Sequence, residues 1–298
     1  MPAHVINLED VQVLNRVFNA AFIAGLEAAP VEYQLFTQIA PSTAKTEDFS
    51  WLGAVPTVRE WLGARVHKKL AGHNYAITNR KWESTVDIER EVLEDNGALG
   101  HAARIQDMGK EANDHRGRLA WSTFAAGKVG TCYDGGAFFR TNHKPDPDGS
   151  YTYSNYTSGA KAPWYLVDAS RPLKPIILTD RVPPELRAPM LTDESVQESD
   201  VFSWRTRARY AAGYGLPQLA HRAEVDLTET NFNAAYAAMR AIKDDTGERY
   251  LNIRPTHLIV PPSLRTEALK LIKATTDNGG QNVNAGIVQV LESPYIIV

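Results

Sequence analysis

The chain's single cysteine, Cys132, stands two residues before Asp134 and eleven before His143 in the stretch CYDGGAFFRTNH. A thiol, an imidazole and a carboxylate are the parts of a cysteine hydrolase, provided the base reaches the thiol and the third group holds the base. They are also ligand types that zinc accepts. Against both readings, Cys132 lies between Thr131 and Tyr133 in a strand-like stretch, where a buried cysteine is usually inert packing. Asp134-Gly135-Gly136 is a hairpin-turn signal, since glycine takes positive φ without steric cost. His143, beside Lys144-Pro145, reads as the start of a loop.

No other constellation does better. The eight histidines form no cluster with metal-ligand spacing; His67 and His73 are six apart and no His-x-x-x-His pair occurs. Asp146-Pro147-Asp148-Gly149 resembles part of a calcium loop, but Pro147 and the missing glutamate at the loop end make a turn the better reading. Neither G-x-x-x-x-G-K-[ST] nor G-x-G-x-x-G is present. The carboxylate pairs Glu94-Asp95 and Asp244-Asp245 fall beside expected turns and helix ends, where solvated charge is ordinary. The expectation is no catalytic residue, no cofactor and no metal.

Composition bounds the rest. The 298 residues are 43% hydrophobic and 22% charged, enough for about two domains with a true core. One cysteine permits no internal disulfide, which fits folding in a reducing cytoplasm. No secretory signal and no run of about eighteen apolar residues occurs. Thirty-two basic residues against 35 acidic ones leave a formal charge of −3. A dedicated nucleic-acid reader normally carries a basic surplus, so a surface lying beside DNA is compatible with this balance and one gripping it is not.

The elements that would position these residues follow from periodicity. Asn7 caps an expected helix to Ala29, with Val11, Leu14, Phe18, Phe22 and Leu26 on one stripe. That stripe either faces the core or belongs to an arm laid on another subunit. From Thr46 to Glu91, strand-like pieces at Tyr75–Ile77 and Val86–Ile88 suggest a long two-stranded excursion carrying Trp51, Trp61 and Trp82. Such a ribbon buries too little to stand alone and needs cover. A helical region from Asp95 or Asn96 to Lys128 carries Leu99, Ala102, Ile105, Met108 and Ala112, with a break near Asn113-Asp114-His115. Short strands are expected at Thr131–Phe139, Trp164–Asp168, Pro175–Leu178 and His257–Val260, a β-rich piece at Asp200–Leu219, and a last strand at Gly286–Leu291. Helices capped by Thr228 and Ser263 complete the pattern.

The wording of several blocks resembles one family. FSWLGAVPTVREWLGAR (49–65), YAITNRKWESTVDIEREVLEDNGALG (75–100), CYDGGAFFRTNH, APWYLVDASRPLKPIIL (162–178), DVFSWRTRARYAAGYGLPQLA and IRPTHLIVPPSLRTEALKLI are similar, in order, to the major head subunit of Mu-like phages and prophages. The resemblance implies an α+β chain with the HK97-like phage capsid fold, that of the Hong Kong 97 phage. It implies an N-terminal arm and helix in 1–45, an extended hairpin loop in 46–92 and a peripheral domain with the long spine helix in 93–180. A mainly axial domain would occupy 181–285, with a C-terminal strand returning to the main body in 286–298. Leu216-Pro217 departs from the expected aromatic strand, which should bend or end there.

On this resemblance the chain is a major capsid protein of the virion, assembled in the bacterial host cytoplasm into hexamers and pentamers. These close an icosahedral shell around non-specifically contacted double-stranded DNA. Partners would be other copies of itself, a portal protein, a scaffold and protease, and possible reinforcing head proteins, since the chain ends directly after LESPYIIV; no membrane is implied. Candidate subunit contacts are Trp51, Arg59, Trp61, Arg65, Tyr75, Trp82 and Arg90, because aromatics and arginines dominate interface energetics. Lys68 and Lys69 sit where some shells of this fold form an isopeptide bond, though no placed carboxylate is evident to take the lysine proton. The alternatives are a cysteine hydrolase using Cys132 and His143 with Asp134, and a tail or baseplate structural protein.

Overall fold

A computed structural model describes residues 6–49, 52, 75–96, 99–145, 150–274, 276–277 and 280–296. Trp51, Arg59, Trp61, Arg65, Lys68, Lys69 and the 146–149 turn lie outside the described residues.

The first element is helix α1 (Leu8–Ala28), closed by a full capping box. Asn7 Oδ1 accepts from the Glu9 and Asp10 amides, and Asp10 returns a bond to the Asn7 amide. Strands β1 (Thr37–Pro41), β2 (Thr46–Asp48), β3 (Ala76–Thr78) and β4 (Arg80–Glu89) follow, then helices α2 (Arg90–Asn96) and α3 (Leu99–Ala125). Next come β5 (Tyr156–Thr157), β6 (Trp164–Val167), β7 (Ile176–Arg187), helix α4 (Glu194–Ser199), β8 (Val201–Tyr214) and β9 (Ala220–Ala223). Helix α5 (Glu229–Arg240), β10 (His257–Val260) and helix α6 (Arg265–Lys273) precede β11 (Thr276–Asp277), β12 (Gly280–Gln281) and β13 (Gln289–Glu292). Among the described residues no helix is long and apolar enough to cross a membrane.

Two sheets organise these elements. The first runs β1-β7-β8-β4 and carries α1 and α3 on one face; the second runs β13-β10-β6-β9-β5. In the second, alternate residues part to opposite sides. Trp164, Leu166, Leu258 and Val260 join Phe232 and Met239 of α5 and Ala268 and Ile272 of α6. Tyr165, Val167 and Ile259 instead join Phe124 of α3 and Phe138 and Phe139 of the cysteine stretch. Burial on both faces explains why these strands read as unbroken apolar runs.

Several expectations are corrected. Tyr75–Ile77 and Val86–Ile88 are not two arms of one ribbon: β3 pairs with β2, and β4 pairs along all ten residues with β8. The partner lies more than a hundred residues away, beyond the reach of local periodicity. Helix α3 runs unbroken through Asn113-Asp114-His115 because the polar residues find tertiary partners. Asn113 Nδ2 donates to Leu26 O at 2.9 Å, and His115 Nδ1 hydrogen-bonds with the Tyr210 hydroxyl at 2.8 Å. In Thr131–Phe139 the expected turn at Asp134-Gly135-Gly136 forms, but the strand around Cys132 is reduced to a single bridge between Thr131 and Ala137. Ser263 does not cap α6; Pro262–Leu264 form a 3-10 turn and Leu264 takes the cap position. The last strand begins at Gln289, later than expected.

Strand β8 ends at Tyr214, and Pro217–Leu219 turn away, as Leu216-Pro217 indicates. The divisions expected after residues 92 and 180 fall inside α2 and inside β7. Strands β7 and β8 thus hydrogen-bond residues on both sides of position 180 into one sheet.

Candidate functional site

The glycine turn brings the three chemical groups of the cysteine stretch together. Gly135 takes φ +77, and the Cys132 amide donates to Gly136 O while the Gly135 amide donates to Cys132 O. Asp134 therefore points back at its neighbours. The Cys132 thiol donates to Asp134 Oδ1 at 2.9 Å. Asp134 Oδ2 accepts from Arg140 Nη2 at 2.6 Å and from His143 Nδ1 at 2.7 Å. The other ring nitrogen of His143, Nε2, lies 3.1 Å from both Phe138 O and Asn155 Oδ1. Asn155 is held by bonds from its Nδ2 to Phe138 O and Pro217 O. Arg140 Nε also points at Nδ1 from 3.4 Å, and the ring stacks on Tyr153 at 5.0 Å between centroids.

That arrangement opposes thiol chemistry. Burial, reinforced by the charge of Asp134, pushes the Cys132 thiol far above its ordinary range. A nucleophilic cysteine needs the reverse, a polarised and accessible thiol with a base that accepts its proton. Here the thiol is buried and its hydrogen-bond partner is a carboxylate rather than the imidazole. Burial would raise Asp134 too, but hydrogen bonds from His143 and Cys132 and the charges of His143 and Arg140 outweigh it and hold the carboxyl at about 2. A cavity of about 340 Å³ opens nearby, lined by Asp134, Arg140, Asn142, Lys144 and Thr152; Cys132 does not line it.

The ligand atoms of Cys132, Asp134 and His143 lie within 4.8 Å of one another, the one such group among the described residues. A cation between them would have to displace Arg140 from Asp134 and ionise a thiol that burial keeps protonated. The donor set fits the hydrogen-bond network better than a metal.

The candidate contact residues have a different setting. Strands β2 and β3 close the root of the loop, with Thr46 opposite Thr78 and the Phe49 amide donating to Tyr75 O at 2.8 Å. Phe49 and Leu52 are buried in the core shared with α5 and α6. The Tyr75 hydroxyl accepts from the Tyr214 amide, and burial raises its pKa. Trp82 is half-buried; its Nε1 donates to Tyr210 O at 3.0 Å and its ring meets His115 at 4.3 Å. Arg90 pairs with Asp200 at 2.8 Å and lies over the Phe202 ring. Tyr75, Trp82 and Arg90 thus each have partners within their own chain.

Sequence reasoning missed a third cluster. Arg222 Nη1 donates to Ala125 O at 2.7 Å, capping the C-terminal end of α3. Its guanidinium pairs with Glu224 at 2.8 Å, both side chains less than a tenth exposed. Glu224 also receives Lys128 at 3.0 Å and the Tyr156 hydroxyl at 2.5 Å. This buried junction ties the long helix to β5 and β9. The signal was the opposite charges Arg222 and Glu224 in and beside a short buried strand, where charge needs partners.

Comparison with known proteins agrees with this picture of a structural chain. Residues 11–296 match the family model described as Mu-like prophage major head subunit gpT. The Mu-like prophage FluMu major head subunit of Haemophilus influenzae is 36% identical over 266 residues, covering 86% of each chain. The major capsid protein of Escherichia phage Mu is 31% identical over 305 residues, covering 98% of this chain and 100% of the other. Among solved structures, a chain of the bacteriophage JBD30 procapsid superposes with a TM-score of 0.86 at 37% identity, over 97% of this chain and 100% of that one.

Proposed function

Because this chain belongs to the Mu-like prophage major head subunit family and has the phage capsid fold, we propose that it builds the head shell as rings of six and five around double-stranded DNA. The observation that carries this reading is a likeness to a procapsid chain that covers 97% of this chain and all of that one. As a shell subunit it needs no reaction of its own, and among the described residues its thiol is buried against a carboxylate. Assembly takes place in the host cytoplasm, and the mature protein resides in the virion.

The loop rooted on β2 and β3 reaches a neighbouring copy, with Trp51 and Trp61 as apolar anchors and Arg59 and Arg65 as charged ones. Tyr75 holds its base, and Trp82 and Arg90 fix the strand that follows it. Many modest contacts repeated around a shell give a stable assembly even when each pair of exposed charges contributes only about 0–1 kcal/mol. A formal charge of −3 suits a wall along which DNA must slide. A portal protein, a scaffold with its protease, and reinforcing head proteins complete the partners.

The experiment is expression of the chain and of Trp51→Ala with Trp61→Ala, followed by velocity sedimentation and negative-stain microscopy. The wild-type protein should give closed particles and the double variant a folded, soluble subunit. Tubes from the wild type, or normal heads from the variant, would respectively remove the shell and the role given to the loop.

A further inference from the structure

Strand β4 is an edge. Its ten residues pair with β8 on one side, and among the described residues no strand pairs with the other. It contains no proline or glycine and its register to β8 has no shift, whereas β7 is interrupted at Arg181 and again at Pro183-Pro184. An edge of this kind leaves a row of backbone donors and acceptors open, and natural proteins guard such rows with like charge, proline or bulges. The charges of β4 instead change sign along its length. Lys81 stands toward one end and Asp87 and Glu89 toward the other; all three are exposed. On the opposite face Trp82 and Val86 are only half-buried. A cavity of about 250 Å³ opens along that face, lined in part by Trp82, Ser84, Met108, His115 and Tyr210.

Consider two such strands laid antiparallel about a two-fold axis perpendicular to the sheet. With Ser84 opposite Ser84, Lys81 faces Asp87 twice, Trp82 faces Val86 twice and Glu83 faces Thr85 twice. Opposite charges and aromatic–β-branched pairs are the stabilising cross-strand combinations. Moving the centre to Thr85 sets Glu83 against Asp87, and moving it to Glu83 sets Lys81 against Thr85. Centring on Trp82 also sets Lys81 against Glu83, but it pairs only residues 80–84 of the strand, whereas the Ser84 register pairs residues 80–88; the longest complementary overlap is the one centred on Ser84.

We infer that β4 pairs with β4 of a second copy of this chain, joining the two four-stranded sheets into one across a local two-fold axis at Ser84. This rests on the shell-building reading, since a closed shell of identical copies places two-fold contacts where neighbouring rings meet. Exposed Lys81 and Asp87 then determine whether rings join, while the fold of each subunit does not depend on them.

The test uses Lys81→Glu, Asp87→Lys, the double variant K81E/D87K, and Ser84→Cys in a Cys132→Ala background. Each single reversal sets like charges face to face twice and should raise the concentration needed for half-assembly by at least about tenfold, with unchanged thermal unfolding of the subunit. The double reversal restores opposite charges and should assemble like the wild type. Mild oxidation of Ser84→Cys particles should give disulfide-linked dimers, because directly opposed strand residues have Cα atoms about 4.5–5.5 Å apart. Single reversals that assemble normally, a double variant no better than the singles, or Ser84→Cys chains that stay monomeric on non-reducing gels would each overturn the pairing. If the wild type forms no particles, the shell reading fails instead. The Ser84→Cys crosslink in solution then still decides the strand contact.

Discussion

Gly25 of α1 and Gly109 of α3 form a reciprocal crossing point. A Cβ on Gly25 would lie 2.0 Å from Gln106 O, and one on Gly109 would lie 2.2 Å from Phe22 O. Each helix approaches the other's backbone through the position where its partner has no side chain. Around this point Phe18 meets Trp204 edge-on at 4.8 Å, and Trp204 Nε1 donates to Asn15 Oδ1 at 3.0 Å, so α1 is held to both the long helix and the first sheet.

Gly25→Ala and Gly109→Ala should each destabilise the protein, although alanine is the better helix former by about 1 kcal/mol. Contact with main-chain atoms cannot be relieved by rotating a side chain, so overpacking of about 1–3 kcal/mol wins. Differential scanning calorimetry measures it; an unchanged or raised Tm for both variants would mean the helices can separate without cost.

Cys132 should resist alkylation. Iodoacetamide at neutral pH is expected to leave the native thiol unmodified over a period in which the urea-unfolded chain reacts fully, because burial disfavours the thiolate. Native and unfolded protein labelling at comparable rates, read by intact mass, would contradict the buried network.

Removing the charge of Asp134 should be costly. Asp134→Asn leaves Arg140 and His143 facing a neutral amide, and breaking a buried ion pair by loss of one partner costs about 3–5 kcal/mol. The acid dependence follows from the same contacts. A carboxyl whose folded pKa is about 2, against an ordinary 3.8, adds stability that is complete above the ordinary value and lost as pH falls through about 2. Denaturant melts of the variant at pH 7 that match the wild type would refute this.

His221 should make the protein acid-sensitive at milder pH. Burial lowers its pKa from 6.5 to about 4, and Nδ1 has no hydrogen-bond partner among the described residues. Between those two values the unfolded chain binds a proton that the folded chain does not, so stability falls as pH drops from 6.5 toward 4. His221→Gln, which can keep the bond to Thr157, should flatten that part of the pH–Tm curve. Parallel curves for variant and wild type would place the acid sensitivity elsewhere.

How much was legible in the residues depended on distance along the chain. The cap at Asn7, the stripe of α1, the Thr228 cap, the strand at His257–Val260 and the bend at Leu216-Pro217 all rest on contacts within a few positions. The Asp134-Gly-Gly turn was equally plain, because positive φ at Gly135 is a local demand. The break expected in α3 was wrong for the opposite reason: weak local helix formers were overruled by Leu26 and Tyr210, which lie far away in sequence.

By itself, then, the sequence determined the two long helices, the helices after Thr228 and near Ser263, about half of the strands, the absence of familiar phosphate-binding motifs, and the family likeness carried by ordered blocks of words. Only the tertiary structure decided that β4 belongs to β8, that the Cys132 thiol and His143 both meet the carboxylate of Asp134, and that Arg222 closes the end of the long helix. The physical reason is that caps, turns and periodicity are properties of neighbouring residues. Which strand a strand meets, and whether a buried donor faces an acceptor, depend on which distant segments the core draws together.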